Sequence, residues 1–231
     1  MQTQLGYYGK IPCKGDFISR QLPRLFIEPW DQWLQECIIS SREQLSEDWL
    51  QNYLVSPIWR FALSAGIVGE HAWIGILIPS VDQVGRYFPL TLAVPVHATQ
   101  PLLEISTNEE AWFTDVEEIA LSALEQENNF NDFNRKVDNL GTPKSLHRKE
   151  GATQHTQCNS KHVLAEQWRI TTLENVSLNS RFNILLQQLM LDRFRSFSLW
   201  WTQGSEHVQP TLFVSPDLPP AHKYQTFLTD A

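Results

Sequence analysis

Residues 73–90, Trp-Ile-Gly-Ile-Leu-Ile-Pro-Ser-Val-Asp-Gln-Val-Gly-Arg-Tyr-Phe-Pro-Leu, constrain the fold more than any other stretch. In an extended chain Ile74, Ile76 and Ile78 share one face while Trp73, Gly75 and Leu77 share the other, so both faces are apolar. Such a strand needs cover on both sides, which places it in the middle of a sheet. Pro79 ends the run, and residues 80–86 have the composition of a turn, with Asp82 and Arg86 as its charged members. From residue 88 to 96 alternation resumes, with Phe88, Leu90, Leu92, Val94 and Val96 on one face. Residues 58–65, with Trp59, Phe61 and Leu63 on one face, form the preceding strand. The connections are too short or too aperiodic for crossover helices, so the three strands read as an antiparallel meander.

Around this centre, residues 5–11 suggest a first strand that turns at Pro12. A helix follows with Pro29 in its first turn and Trp30, Trp33, Leu34, Cys37 and Ile38 as its buried stripe. A second helix is expected over 43–54, ended by Pro57. Thr107 and Glu110 have the spacing of a capping box ahead of an apolar stripe from Trp112 to Leu124. Phe130, Phe133, Val137 and Leu140 extend or follow that helix, and the polar segment 141–162 reads as a mobile loop. Order is expected to resume near Trp168. A helix capped by Asn179 or Ser180 comes next, then strands over 197–201 and 211–214 and a short helix opened by Pro219 and Pro220. If Trp200 and Trp201 are extended they face opposite ways, so one of them needs cover from a helix or a partner. The expected class is α+β (mixed α/β), a single domain over residues 1–231 with a largely antiparallel sheet flanked by helices. Its core spans 5–125, and a C-terminal α/β portion over 166–231 packs on the same sheet or core.

Composition narrows the function. A formal net charge of −8 disfavours nucleic acid and anionic membrane surfaces, whose binding depends on Lys and Arg. The N-terminus has no basic and apolar signal segment, and no later run is long enough to cross a membrane, so a cytoplasmic protein without membrane insertion is expected. Nine tryptophans among 231 residues are too many for the core centre alone, and some are expected at its rim or at a partner surface.

In the segment 9–16, Gly15 is followed by Asp16 where a P-loop needs Lys and Ser or Thr, so Lys10, Lys14 and Asp16 belong to a structural turn that can serve a partner. His155, Cys158 and His162, with His147 upstream, are zinc-compatible types but lack a Cys-x-x-Cys pair, and no metal or other cofactor is assigned. Cys37 fits a core hydrophobe better than a nucleophile. Ser64, Ser80, His71 and Asp82 lie outside any Gly-x-Ser-x-Gly elbow. Asp82 and Arg86 can pair to shape their own loop or contact a partner, with Ser80 bonding to local backbone.

Three segments together resemble the type VI secretion-associated family called TagF or ImpM. They are 79–90, including Pro-Ser-Val-Asp and Val-Gly-Arg-Tyr-Phe-Pro-Leu; Gly-Tyr-Tyr-Gly-Lys-Ile-Pro at 6–12 running into Lys14-Gly15-Asp16-Phe17; and Pro57-Ile58-Trp59-Arg60-Phe61. The resemblance implies a cytoplasmic accessory protein that represses assembly of the secretion machine after translation. Its partner would be another protein, the forkhead-associated-domain component being the candidate. On this reading the chain is not an enzyme, and the candidate partner-binding residues are Lys10, Lys14, Asp16, Trp59, Arg60, Ser80, Asp82 and Arg86. The competing expectation is a hydrolase or nucleotide-dependent enzyme whose site is assembled from residues distant in sequence.

Overall fold

A computed structural model describes residues 4–97, 102–125, 129–147 and 177–230. Seven strands form one antiparallel sheet in the order β2-β1-β5-β4-β3-β6-β7: β1 Gly6–Gly9, β2 Ile18–Arg20, β3 Trp59–Leu63, β4 Ala72–Ile78, β5 Leu90–Val96, β6 Ser198–Thr202 and β7 Thr211–Ser215. The meander β3-β4-β5 is present, and β4 lies at the centre with every residue buried. Two strands from the C-terminal part extend the sheet, β6 pairing with β3.

Helices cover both faces, as the double-sided apolar pattern of β4 requires. On one face Ile74, Ile76, Ile78, Leu92 and Val94 pack with Trp112, Phe113 and Val116 of α4 (Glu110–Leu124), and with α3 (Leu102–Asn108) and α5 (Phe130–Leu140). On the other face Trp59, Phe61, Trp73 and Leu77 pack with Phe26, Trp30 and Trp33 of α1 (Arg24–Leu45) and with Phe227 of α7 (Gln225–Leu228). This second core is largely aromatic. Trp30 lies 4.9 Å from Phe61 and 6.0 Å from Trp200, and its indole N–H donates to Thr91 Oγ1 at 2.8 Å. Large side chains buried this completely each contribute about 1.5–3 kcal/mol. Gly75 is required here: a Cβ would lie 2.2 Å from the Leu92 carbonyl oxygen and 2.8 Å from the Phe61 ring. Trp200 and Trp201 do diverge. Trp200 is enclosed among Trp30, Trp33 and Phe227, while Trp201 packs against Phe113 across the sheet.

Several boundaries differ from the sequence pattern. α1 starts at Arg24, so Pro29 sits inside the helix rather than in its first turn. The carbonyl that Pro29 leaves without a partner belongs to surface-exposed Leu25, where solvent can satisfy it. The expected 43–54 helix is split: α1 runs to Leu45, Ser46 adopts φ 49°, a 3₁₀ turn spans Ser46–Asp48, and α2 covers Trp49–Leu54. Thr107 and Glu110 form no capping box. The Thr107 hydroxyl donates back to Leu103 O and Glu104 O, and Glu110 is drawn to the buried Arg60 guanidinium. Ser177, not Asn179 or Ser180, caps α6 (Leu178–Arg193), its Oγ accepting from Ser180 N. Residues 144–147 form a 3₁₀ turn whose Lys144 and Ser145 N–H groups donate to Glu109. Residues 148–162 of the expected loop and Trp168 lie outside the described residues, and His155, Cys158 and His162 are among them.

Candidate partner-binding surface

Two loops emerge side by side at one end of the sheet, the β1–β2 loop (residues 10–17) and the β4–β5 loop (residues 79–89). The second is closed by its own backbone: Asp82 N donates to Arg86 O, Gly85 N to Asp82 O and Phe88 N to Ser80 O. Gly85, at φ 85°, makes the tight reversal that an L side chain resists. The first loop is fixed to it by Gln83 N donating to Lys14 O at 2.9 Å.

Asp82 is the centre of this arrangement. Its side chain is fully buried, and both carboxylate oxygens accept hydrogen bonds. Oδ1 accepts the N–H groups of Val84 at 3.0 Å and Arg86 at 2.8 Å, and Oδ2 accepts Lys10 Nζ at 2.9 Å and Arg86 Nε at 2.7 Å. Burial alone would raise its pKa. The backbone and side-chain hydrogen bonds from Arg86 and the Lys10 ammonium outweigh burial and hold the carboxyl well below the usual carboxylate range. Lys10, itself buried, lies over the Phe17 ring at 4.9 Å. Ser80 donates its hydroxyl to Lys10 O at 2.7 Å, while its own peptide group is bracketed by the Tyr53 hydroxyl. Arg86 also reaches the first loop, donating from Nη2 to the Gly15 carbonyl and lying 3.8 Å from Asp16. The two loops are therefore one rigid unit.

Six of the eight candidate residues meet here: Lys10, Lys14, Asp16, Ser80, Asp82 and Arg86. Lys10, Ser80 and Asp82 are buried and hold the loops together, whereas Lys14, Asp16 and Arg86 face solvent. Trp59 and Arg60 lie within the body of the fold. The Trp59 indole N–H donates to Phe227 O at 3.0 Å. Arg60 points to the opposite face, where it makes a bidentate contact with Glu117 and a 2.6 Å bond to Glu110. Burial pulls the guanidinium pKa down, but the two glutamates overcome that and raise it.

Sequence reasoning missed the apolar members of this surface. Phe17 is 46% exposed, stacked on Tyr8 and edge-on to Phe88, and Val84 at the loop tip is 68% exposed. An apolar residue inside a turn was the available signal. Beside the β4–β5 loop, α1 contributes Gln35, Ile39 and Arg42 to a groove. These residues fall at i, i+4 and i+7, the outward counterpart of the buried stripe.

Ser64, Ser80 and Asp82 of the hydrolytic reading are engaged in structural contacts. The Ser80 hydroxyl bonds to Lys10 O, Ser64 Oγ accepts from Phe197 N, and Asp82 is occupied by cations. Cys37 is wholly enclosed by α1 packing, and burial raises its thiol pKa far from reactive values.

Residues 6–140 match the family model described as TagF N-terminal domain, Type VI secretion system-associated. The chain belongs to the TagF family. Among solved structures it is similar to PA0076 from Pseudomonas aeruginosa PAO1, a crystal structure at 2.05 Å. The two share 35% identity with a TM-score of 0.81, over 99% of this chain and 95% of that one. No curated protein matches. The TagF match contains both loops of the candidate surface, with α1 and the β3–β5 meander that carry them. Among the described residues, no helix is long and apolar enough to cross a membrane.

Proposed function

We propose that this TagF-family chain acts in the cytoplasm as a noncatalytic regulator that represses type VI secretion assembly by binding another protein of that system. The observation that carries this reading is the paired-loop unit. Internal ion pairs fix its shape while Phe17, Val84, Lys14, Asp16 and Arg86 are left outward, the mix of apolar contact area and charged rim that protein interfaces use. The type VI association of the family model supports the choice of system. The forkhead-associated-domain component is the proposed partner, on the strength of the family resemblance.

The test is to raise the level of this chain in cells with an active type VI system and measure secreted substrates alongside transcript levels. Repression predicts a fall in secretion with unchanged transcripts and co-precipitation of the forkhead-associated-domain component. Unchanged secretion despite accumulation of the folded chain would overturn the reading.

A further inference from the structure

We infer that the groove between α1 and the β4–β5 loop receives an extended acidic segment of the partner, with an apolar side chain seated against Ile39. This rests on the protein-binding reading above. The groove is lined by Gln35, Ile39 and Arg42 from the helix and by Arg86, Tyr87 and Phe88 from the loop. Its loop wall is fixed from behind: Tyr87 packs edge-on against Trp49 and Tyr53, which stack on each other at 4.8 Å. Ile39 is 59% exposed, a large apolar side chain that the fold leaves uncovered.

Charge decides the occupant. Arg42 lies over Trp49, its Cζ 4.2 Å from the ring centroid, and among the described residues no carboxylate lies within ion-pair distance of it. A guanidinium carries five N–H donors, and a contact with a ring face does not use them as an ion pair would. Arg86 lines the same groove, its side chain 56% exposed although Nε is committed to Asp82 and Nη2 to the Gly15 carbonyl, with Asp16 3.8 Å away. The Arg42 guanidinium, without a carboxylate partner among the described residues and beside the apolar Ile39, is a local positive site in a chain of net charge −8 that a carboxylate complements, with Arg86 on the facing wall. A nucleic acid would need a longer basic track than two arginines, and a small free anion would leave Ile39 without a role.

The experiment is selection of phage-displayed short random peptides on the intact chain, followed by calorimetry with the synthetic form of the strongest binder. The inference expects recovered peptides rich in Asp and Glu next to Leu, Ile or Phe. It also expects binding that weakens with added salt, and affinity reduced about tenfold or more by Arg42→Gln and by Ile39→Asn. Both residues are exposed, and thermal melts will verify that the variants stay folded. Recovery of no peptide, of peptides without acidic enrichment, or of acidic peptides that bind both variants as they bind wild type would overturn it. If the peptides fail but the purified type VI component is still captured, only this placement falls. If acidic peptides bind here while that component is never captured, the groove stands and the regulatory reading falls.

Discussion

Lys10 and Asp82, 72 residues apart, form a buried ion pair at 2.9 Å that joins the β1–β2 loop to the β4–β5 loop. Removing Asp82 leaves the buried Lys10 ammonium without a counter-charge, which typically costs about 3–5 kcal/mol, whereas removing Lys10 leaves Asp82 still bonded to Arg86 and to two backbone N–H groups. In urea unfolding Asp82→Asn should therefore destabilise strongly and Lys10→Met less. Because each removes the same contact, the double variant should fall short of their sum by about 1–3 kcal/mol. Strict additivity would mean that the two groups do not act together.

Acid should expose the same pair. In the unfolded chain an aspartate titrates near about 3.9, and in the fold Asp82 titrates lower. Between those two values the unfolded chain binds more protons. The contribution is therefore complete above the unfolded value and is lost as pH falls through it toward the folded one. Unfolding free energies measured from neutral pH down to acid should decline more steeply for wild type than for Asp82→Asn.

Thr91→Val conserves volume but leaves the Trp30 indole N–H without its acceptor in the aromatic core. A cost of about 1–3 kcal/mol is expected, readable as a lowered urea midpoint with an unchanged denaturant slope.

Gly75→Ala tests the closeness of β4, β5 and the Phe61 ring. The new methyl would meet backbone at 2.2 Å, which no side-chain rotation relieves. The loss should reach at least about 3 kcal/mol, the upper end of ordinary overpacking, and circular dichroism of the variant should show partial unfolding at room temperature.

The centre of the sheet was legible because β4 carries apolar residues at every position, a pattern that admits little besides a strand covered on two sides. The meander followed from short connections. Helix starts were harder to read. Pro29 looked like a first-turn residue, yet Arg24 begins α1, because exposure at Leu25 makes an internal proline tolerable. Glu110 looked like half of a capping box, but Arg60, placed 50 residues earlier, claims it. At the site, the i, i+4 spacing of Asp82 and Arg86 made their pairing visible in advance, and the ion pair confirms that contact. Nothing local announced Lys10 as the second cation on Asp82, since strand pairing between β1 and β5 brings it there. Arg42 and Ile39 carry no local signal of a groove, since they lie outside the buried stripe of α1 and the loop that faces them is distant in sequence.

The most direct test of the account is calorimetric binding of the purified chain to the purified forkhead-associated-domain component, comparing wild type with Lys14→Glu and Val84→Asp. Both residues are exposed and bear no part of the Asp82 network through their side chains. The account predicts saturable binding by wild type and an affinity reduced about tenfold or more in each variant, with the unfolding midpoint unchanged for Val84→Asp and only slightly lowered for Lys14→Glu, whose Nζ lies 4.7 Å from the Phe130 ring centroid. Binding by both variants at wild-type affinity would contradict the claim that these loops form the partner surface.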